Sequence, residues 1–450
     1  LTAESMAPPG DKSKSAEKPK SKRDNGLSDL ECAEALIQKG FGGKGNVLFD
    51  GNFIYAWSKM VGYWRRVTDW ELRQKIVELK IAPDATVGKL NSILAFVKAA
   101  TLKPGFRFRF DRPVINCLNG ELHLNKDGVF KLVGHDRDSF HCTVVPVAYD
   151  PQAKCPRFER FLNQITEGDP DQDAKIFLLY QIIGYALLSI SSFEKFFIIT
   201  GAGANGKSVF LKILREIIGP ENTASVQMSQ FDNRFQRAHL QGKLLNLITE
   251  LPEGGQIPDA ILKALVSGET ITCENKGLPP FELTPFCTIV AATNHLPHTR
   301  DFSEALFRRA IIIRFNRVFS EAEQDRFLFE RIKDELPGIF FRAVKSLEDL
   351  FRYNGFVEPQ ESKKLKNEWR TETDQAAQFF EECCVRASGK VIESARLYEL
   401  YTEWARAAGI HKFLNRKNFT TRLLRLGGIG TGKGFKGVRL LTGIEFFGTG

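Results

Sequence analysis

Residues 196–214, FFIITGAGANGKSVFLKIL, decide the fold. Phe196 to Thr200 read as a short buried strand. Gly201, Gly203 and Gly206, with Ala202, Ala204 and Asn205 between them, supply a turn whose backbone N–H groups can close around an anion. Lys207 adds a point charge and Ser208 a hydroxyl suited to Mg²⁺, completing the pattern G-x-x-x-x-G-K-[ST]. Val209, Phe210, Ile213, Leu214 and Ile217 then recur at helical spacing, and Gly219-Pro220 end the helix. Strand, loop and helix stand in the order a phosphate cradle needs. ATP and Mg²⁺ are therefore the expected cofactors.

A second run, GGIGTGKG at 427–434, has the same glycine and lysine spacing but ends in Gly434, without the hydroxyl. A helical text (FTTRLLRL) precedes it and a strand-like one (KGVRLLTGIEFF) follows, so the order is inverted. It reads as a flexible hairpin loop.

An ATPase needs more than a cradle: an acid on another strand, a polar residue facing the γ-phosphate, and a positive charge for the transition state. KLLNLITELPEG carries Glu250 at the end of an apolar strand, where parallel sheets place their sites. FCTIVAATNHLP is a second buried run, ending in Asn294. In SEALFRRAIIIRF, Arg308 and Arg309 fall between a helical segment and a fourth strand, within reach of a neighbouring subunit.

Composition bounds the rest. The 450 residues suggest two to four domains, and 43% apolar content suffices for packed cores. The longest apolar run, residues 176–190, is too short to span a bilayer and reads as a buried helix. No secretory signal and no C-x-x-C pair is visible; Cys383 and Cys384, inside a helical pattern, read as free buried thiols. These features point to the cytoplasm, of the host cell for a viral protein, with no membrane partner. The chain begins with Leu1, which fits a fragment or a start at an alternative codon. Its net charge of +9 is uneven: +3 in residues 1–23, +8 in residues 405–450 and −2 between them. Basic ends on a near-neutral body suggest a polyanion partner.

Five regions are expected: a disordered basic tail (1–27), an α+β or collar region (28–165), the ATPase core (166–320), a helical extension (321–373) and a C-terminal DNA-binding domain (374–450). In the second region, LNG and KDG mark hairpin turns. Asp136, Asp138 and His141 in GHDRDSFHC could suggest a polymerase-like metal site, but they crowd one polar loop, so that reading is set aside. DPDQD at 169–173 reads as acidic capping of the following helix.

The phosphate loop, Glu250, Lys276 before an LPPFEL hairpin, Asn294 and Arg308-Arg309 occur in order. This set resembles superfamily 3 helicases, the ring ATPases of small viruses, phages and plasmids. GYALLSISSFEKFFIITGAGANGKS and FDRPVINCLNGELHL look more narrowly like the helicase half of phage and plasmid primase–helicases, related to the poxvirus primase–helicase. The similarity spans residues 45–447. It implies an AAA+-like P-loop core in an α/β fold, working as a homo-oligomer, expected to be a hexamer. ATP would be bound by residues 201–208, with Ser208 and Glu250 at the metal, Asn294 as the sensor and Arg308 or Arg309 as an arginine finger in trans. Lys276 falls where the family grips single-stranded DNA in its channel. One departure is that Thr249 precedes Glu250 where many members have a second acid. Three C-terminal helical patterns and the basic hairpin then suggest a winged helix on duplex or forked DNA, using Arg416, Lys417, Arg422, Lys433 and Lys436, with Lys412, Arg425 and Arg439 nearby. A primase or polymerase module is the implied partner. Two rival readings are an ATPase serving origin binding or DNA packaging, and a small-molecule phosphotransferase.

Overall fold

Ser28, Thr68 and Thr86 each stand one residue ahead of a helix and cap it with a side-chain oxygen. In the computed structural model, described over residues 27–83, 85–106, 108, 112–252, 257–297, 299, 304–408, 410, 413–434 and 438–448, these caps open α1 (Asp29–Phe41), α2 (Asp69–Glu78) and α3 (Val87–Thr101). Most of the expected tail, residues 1–26, lies outside the described residues. The chain divides into two units, one within Leu1–Trp57 and Arg66–Arg107, the other within Ser58–Arg65 and Phe108–Gly450. In the first, β1 (Val47–Phe49) and β2 (Ile54–Ser58) pair antiparallel. Leu36, Ile54, Leu72, Ile76, Ile93 and Val97 join the three helices and this pair in one core. β3 (Tyr63–Val67) follows in the chain.

The second unit opens with β4 (Val114–Cys117), β5 (Gly120–Leu124) and β6 (Phe130–Val133), an antiparallel meander with turns where LNG and KDG predict them. Glycine is required at 120: its φ is +152°, and a Cβ there would stand 2.2 Å from the Val133 carbonyl oxygen. The loop after β6 differs from its sequence reading. Asp138 is exposed and Asp136 caps a short turn, but His141 is buried, 3.4 Å from fully buried Glu121. Glu121 also meets His123 (2.8 Å), Ser139 Oγ (3.0 Å) and the Asp136 N–H (2.8 Å). These contacts fasten the loop to β5. No cluster of three His, Cys, Asp or Glu side chains among the described residues could hold a metal.

Next come α4 (Pro156–Ile165) and α5 (Gln172–Ala186), the latter buried on nearly every side. No helix among the described residues is long and apolar enough to cross a membrane. The DPDQD acids stand at the start of α5 as read, Asp171 at the N-cap position and Asp173 in the first turn, and two of them also make long-range contacts. Asp171 makes no side-chain cap but accepts the Glu361 N–H, while Asp169 binds Lys175, which is 1% exposed.

The centre is a five-stranded parallel sheet. Along the chain run β7 (Phe196–Thr200), α6 (Lys207–Ile218), β8 (Thr223–Ala224), α7 (Arg234–Arg237), β9 (Leu245–Ile248) and α8 (Asp259–Ser267). The β10 (Ile271–Cys273)–β11 (Phe281–Leu283) hairpin, β12 (Thr288–Thr293), α9 (Glu304–Phe307) and β13 (Ala310–Arg314) complete it. The sheet order is β13-β7-β12-β9-β8. Near-continuous apolar strands suit a sheet covered on both faces. Phe197, Ile199, Val290 and Ile311 enter one core, and Phe196, Ile198, Ile289 and Ile312 the other.

Three helices follow: α10 (Leu328–Lys333), α11 (Leu336–Arg352) and α12 (Gln360–Thr373). α11 packs tightly on α5, since a Cβ on Gly184 would lie 2.5 Å from the Ala343 carbonyl oxygen. The C-terminal segment runs α13 (Gln375–Cys383), β14 (Cys384–Glu393), α14 (Ser394–Ala407), α15 (Arg416–Arg425), β15 (Gly430–Lys433) and β16 (Arg439–Phe446). Its antiparallel sheet has the order β14-β16-β15, and Phe379, Tyr401, Trp404 and Phe419 cluster against it. Two expectations are corrected. Cys384 opens a strand instead of continuing a helix, and half of GGIGTGKG is β15 instead of loop. Both cysteines are free and buried.

Glu121 sets a pH dependence. Burial raises its carboxyl pKa, but His141, the Asp136 N–H and His123 outweigh burial and bring it from 4.5 down to about 2. Its stabilisation is therefore complete above pH 4.5 and lost as pH falls towards 2, by up to about 3 kcal/mol. Glu121→Gln is expected to lower stability at pH 7 and flatten its decline across that window. Urea denaturation at stepped pH checks this; equal slopes in parent and variant would exclude Glu121 as the source.

Candidate functional site

Two glycines of the 201–208 loop are dictated by close approach. A Cβ on Gly201 (φ +148°) would stand 2.3 Å from Asn205 Nδ2 and 2.5 Å from the Phe315 carbonyl oxygen. One on Gly206 (φ +87°) would meet Ile165 at 2.6 Å and Phe161 at 3.1 Å. Ala204 also has positive φ, +55°, a conformation costing about 1–2 kcal/mol for a residue with a Cβ. Surrounding bonds hold it there. Asn205 Nδ2 donates to the Phe315 carbonyl (3.2 Å), and the Phe319 N–H donates to the Ala204 carbonyl (2.8 Å).

α6 starts at Lys207 with no side-chain cap, so its first-turn N–H groups keep their anion-binding capacity. Lys207 Nζ bonds the Gly201 carbonyl, the Ala202 carbonyl (3.0 Å), Asn205 Oδ1 (3.2 Å) and Asn294 Oδ1 (3.3 Å). Burial lowers its pKa. Ser208 is exposed at the following position.

Sheet register brings the remaining groups to the same edge. Thr200 lies opposite Thr293, and Ile248 opposite Ala291, so Asn294 and Glu250 both stand just past their strand ends. The Leu251 N–H donates to the Ala292 carbonyl at 2.9 Å and fixes the segment carrying Glu250. Gly203 to Ser208, Glu250 and Asn294 line one cleft of about 670 Å³. Its other wall, formed by α4 and residues 319–331, escaped sequence reading because those residues follow no local pattern.

The twin arginines part company. Arg309 is 8% exposed, and its guanidinium meets Glu194 (2.6 Å), Ser267 Oγ (2.8 Å) and the Ala305 carbonyl (2.8 Å). Arg308 is exposed, and its side chain makes no hydrogen bond among the described residues. Neither lines the cleft of its own chain.

Lys276 is exposed at the turn of the β10–β11 hairpin. Beside it stands a residue that sequence reading missed. Phe235 on α7 is 46% exposed, although α7 is tied to the hairpin by Arg237 bonding the Thr272 carbonyl and by the Glu274 N–H donating to the Arg234 carbonyl. An aromatic residue between arginines in NRFQR was the available signal.

In the C-terminal segment Arg416 and Lys417 are exposed on α15, and Lys417, Thr421 and Arg425 share an exposed face at four-residue spacing. Lys433 and Arg439 are exposed and directly opposite in the β15–β16 ladder. Arg422 is half-buried, with its guanidinium 3.4 Å from Asp374. Lys412 and Lys436 lie outside the described residues.

Three family models match the chain: a family of unknown function, DUF5906, over 199–309; D5 N terminal like over 50–167; and poxvirus D5 protein-like over 371–427. A protein of Acanthamoeba polyphaga mimivirus named as a candidate helicase is 24% identical over 284 residues, 57% of this chain and 29% of the relative. Another, of invertebrate iridescent virus 3, is 27% identical over 136 residues, 28% of this chain and 14% of the relative. The chain thus spans less than a third of the length of these curated relatives. The apo C-terminal region of NrS-1 superposes with a TM-score of 0.53 at 15% identity, covering 92% of this chain and 99% of that one. Another apo structure of that region gives 0.50 at 13% identity, covering 94% and 100%. The fold is mixed α/β around a central parallel sheet. Through its D5-type matches the chain resembles the phage and viral primase–helicase family.

The two arginines make a stability prediction. Arg309→Ala is expected to cost about 2–3 kcal/mol, by removing charge-assisted bonds and leaving Ser267 unpaired. Arg308→Ala, on an exposed side chain, should stay within about 0.5 kcal/mol of the parent. Denaturant titration of both checks the assignment, and equal losses would overturn it.

Proposed function

We propose that this chain is an ATP-driven DNA helicase module of a mobile element's replication machinery, with an AAA+-like P-loop core and a C-terminal winged helix. The observation that carries the proposal is the convergence of Lys207, Ser208, Glu250 and Asn294 on one cleft at the carboxyl ends of parallel strands. Numbered along the chain, the sheet strands lie in the order 5-1-4-3-2, which separates the acid's strand from the loop's strand by the strand bearing Asn294.

On this reading the loop N–H groups and Lys207 bind the β- and γ-phosphates of ATP. The donors fit a hard cation: Ser208 and Glu250 offer oxygen ligands in the same cleft, and Mg²⁺ held there would neutralise phosphate charge. Glu250 orients and activates the attacking water. Asn294 contacts the γ-phosphate or that water, from a position hydrogen-bonded to Lys207. Arg308, exposed and outside the lining of its own cleft, is the finger for the next subunit of a hexameric ring. Arg309 holds the strand start in place. Lys276 and Phe235 face the strand in the channel, one meeting phosphate and the other a base or sugar. Arg416, Lys417 and Lys433 meet duplex or fork DNA through the winged helix. An ATPase that uses nucleotide only to assemble on an origin would bind forked DNA without unwinding it.

Lys207→Ala is expected to abolish ATP hydrolysis in a folded protein. Arg308→Ala should lower it about 10³-fold or more, as for other fingers in trans. Mixing the two variants should restore part of the activity, because one kind of interface then pairs an intact cleft with an intact Arg308. Absence of rescue at every ratio, in rings shown to mix, would mean the site is complete in one chain.

DNA contacts should separate by assay. Lys417→Ala with Lys433→Ala should weaken nucleotide-independent duplex binding, and each lost phosphate contact should reduce the log–log salt slope by about 0.9. Lys276→Ala or Phe235→Ala should spare that binding but stop unwinding of a fork. Normal unwinding by both hairpin-side variants would remove the channel assignment.

A further inference from the structure

A helix of one turn does not hold itself in water, and α9, four residues long, directly precedes Arg308. Its placement comes from its neighbours. On one side Lys195 bonds the Arg308 carbonyl, and Arg309 donates to the Ala305 carbonyl at 2.8 Å. On the other side stands α12. Arg370 meets the Glu304 carboxylate at 2.9 Å, and the Glu304 carbonyl accepts the Arg308 N–H at 2.9 Å. The Trp369 ring meets Phe307 edge-on, with centroids 5.1 Å apart. These two rings are 1% and 2% exposed, and Leu306 and Leu365 share their core.

Trp369 also reaches the segment that follows β12. Its indole N–H donates to the Pro297 carbonyl at 2.7 Å. Pro297 stands three residues after Asn294, and Thr293 tightens the turn between them by bonding the His295 carbonyl with its hydroxyl. Asn294 in turn accepts from Lys207 Nζ at 3.3 Å. One buried side chain therefore touches both the segment bearing Asn294 and the turn that ends in Arg308. A tryptophan packed edge-on and bonded at its nitrogen is held in one orientation, so a shift of either segment acts on the other. α12 does not slide freely to absorb such a shift, because Glu361 at its start is bonded to buried Lys175 at 2.7 Å.

Resting on the proposed reading of Arg308 as a finger in trans, we propose that Trp369 is a positioning residue. It refers the finger that a chain presents to its neighbour to the Asn294 segment of that chain's own cleft, so adjacent sites in a ring do not act independently.

The test is ATP turnover in mixed rings of the full chain. Trp369→Leu is expected to lower turnover about 10²-fold, as for an ångström-scale misplacement of a catalytic group, with KM for ATP unchanged because the cradle is untouched. Lys207→Ala chains, whose finger is intact, should restore part of that turnover when mixed with it. Arg308→Ala chains, whose cleft is intact, should restore none, because neither kind of chain then presents a placed finger. A residue that only supported the core would produce no such asymmetry. Trp369→Phe keeps a ring against Phe307 and loses the indole N–H. It should fold as the parent does and show the same asymmetry with a smaller loss. Parent-level turnover by folded Trp369→Phe would overturn the tie to the Asn294 segment, and the proposal with it. In rings shown to mix, restoration by Arg308→Ala chains, or none by Lys207→Ala chains, would overturn Trp369 as the support of the finger. If Lys207→Ala and Arg308→Ala chains do not restore each other, the finger reading itself falls, and the proposal falls with it.

Discussion

Backbone hydrogen bonds from β12 to β7 on one side and to β9 on the other hold three strand ends level. Thr200 sits beside Thr293, and Ile248 beside Ala291. In a parallel sheet all three chains leave in the same direction, so whatever follows each strand emerges on one edge. A loop of small residues follows the first, an acid the second and an asparagine the third. A register slip of one residue in β12 would turn its core-facing residues to the opposite face and displace Asn294 from Lys207. The buried strands resist such a slip, because Val290 and Ala292 serve one core while Ile289 and Ala291 serve the other.

The same sheet keeps the twin arginines away from the cleft of their own chain. β13 flanks β7 on the side away from β9, and Arg308 and Arg309 lie at its start, whereas the cleft lies at the strand ends. A five-residue strand rises about 3.3 Å per residue, so the start of β13 is about 15 Å from the cleft edge along the strand. An arginine side chain does not cover that distance. Arg309 is also immobilised by Glu194, Ser267 and Ala305, which leaves Arg308 as the exposed guanidinium of the pair.

Sequence patterns captured what is local. The strand–loop–helix of 196–218, the β10–β11 hairpin bearing Lys276 and the strands ending before Glu250 and Asn294 are each specified within a few residues by apolar runs and turn chemistry. What escaped depends on distant partners. Arg308 and Arg309 are indistinguishable as neighbours in sequence, and only Glu194, 115 residues earlier, and Ser267, 42 residues earlier, separate them. Arg422 carries the same charge as Lys417, but Asp374, 48 residues away, draws it inward. Cys384 to Glu393 was missed as a strand because nine of its ten residues, all but Cys384, are exposed or half-buried, without the alternation that marks a covered face; its ladder to β16 also shifts register between Arg386 and Val391. Glu121 in GELHL carries no local signal of burial; the loop bearing Asp136 and Ser139, a dozen or more residues later, covers it.

Lys175 shows how the core fixes its own helical extension. A fully buried ammonium costs several kcal/mol to desolvate, and a buried pair is tolerated only when its remaining bonds are met. Here Lys175 on α5 meets Asp169, Glu361 on α12 (2.7 Å) and the Arg314 carbonyl at the end of β13 (2.9 Å). Asn316 bridges the two carboxylates, donating to Asp169 Oδ1 at 2.6 Å and to Glu361 Oε1 at 2.9 Å. An apolar residue of similar size could fill the space but would not select a partner, because dispersion contacts tolerate small slides along a helix. The lysine tolerates none without stranding a charge. It therefore sets the position of α12 against β13, and Trp369, two turns further along α12, completes the fixation by donating its indole N–H to the Pro297 carbonyl at 2.7 Å. Asn316 begins the segment that carries Phe319 to the cleft, while α12 continues towards α13. One buried charge thus joins the wall of the candidate nucleotide site to the helix from which the C-terminal segment departs.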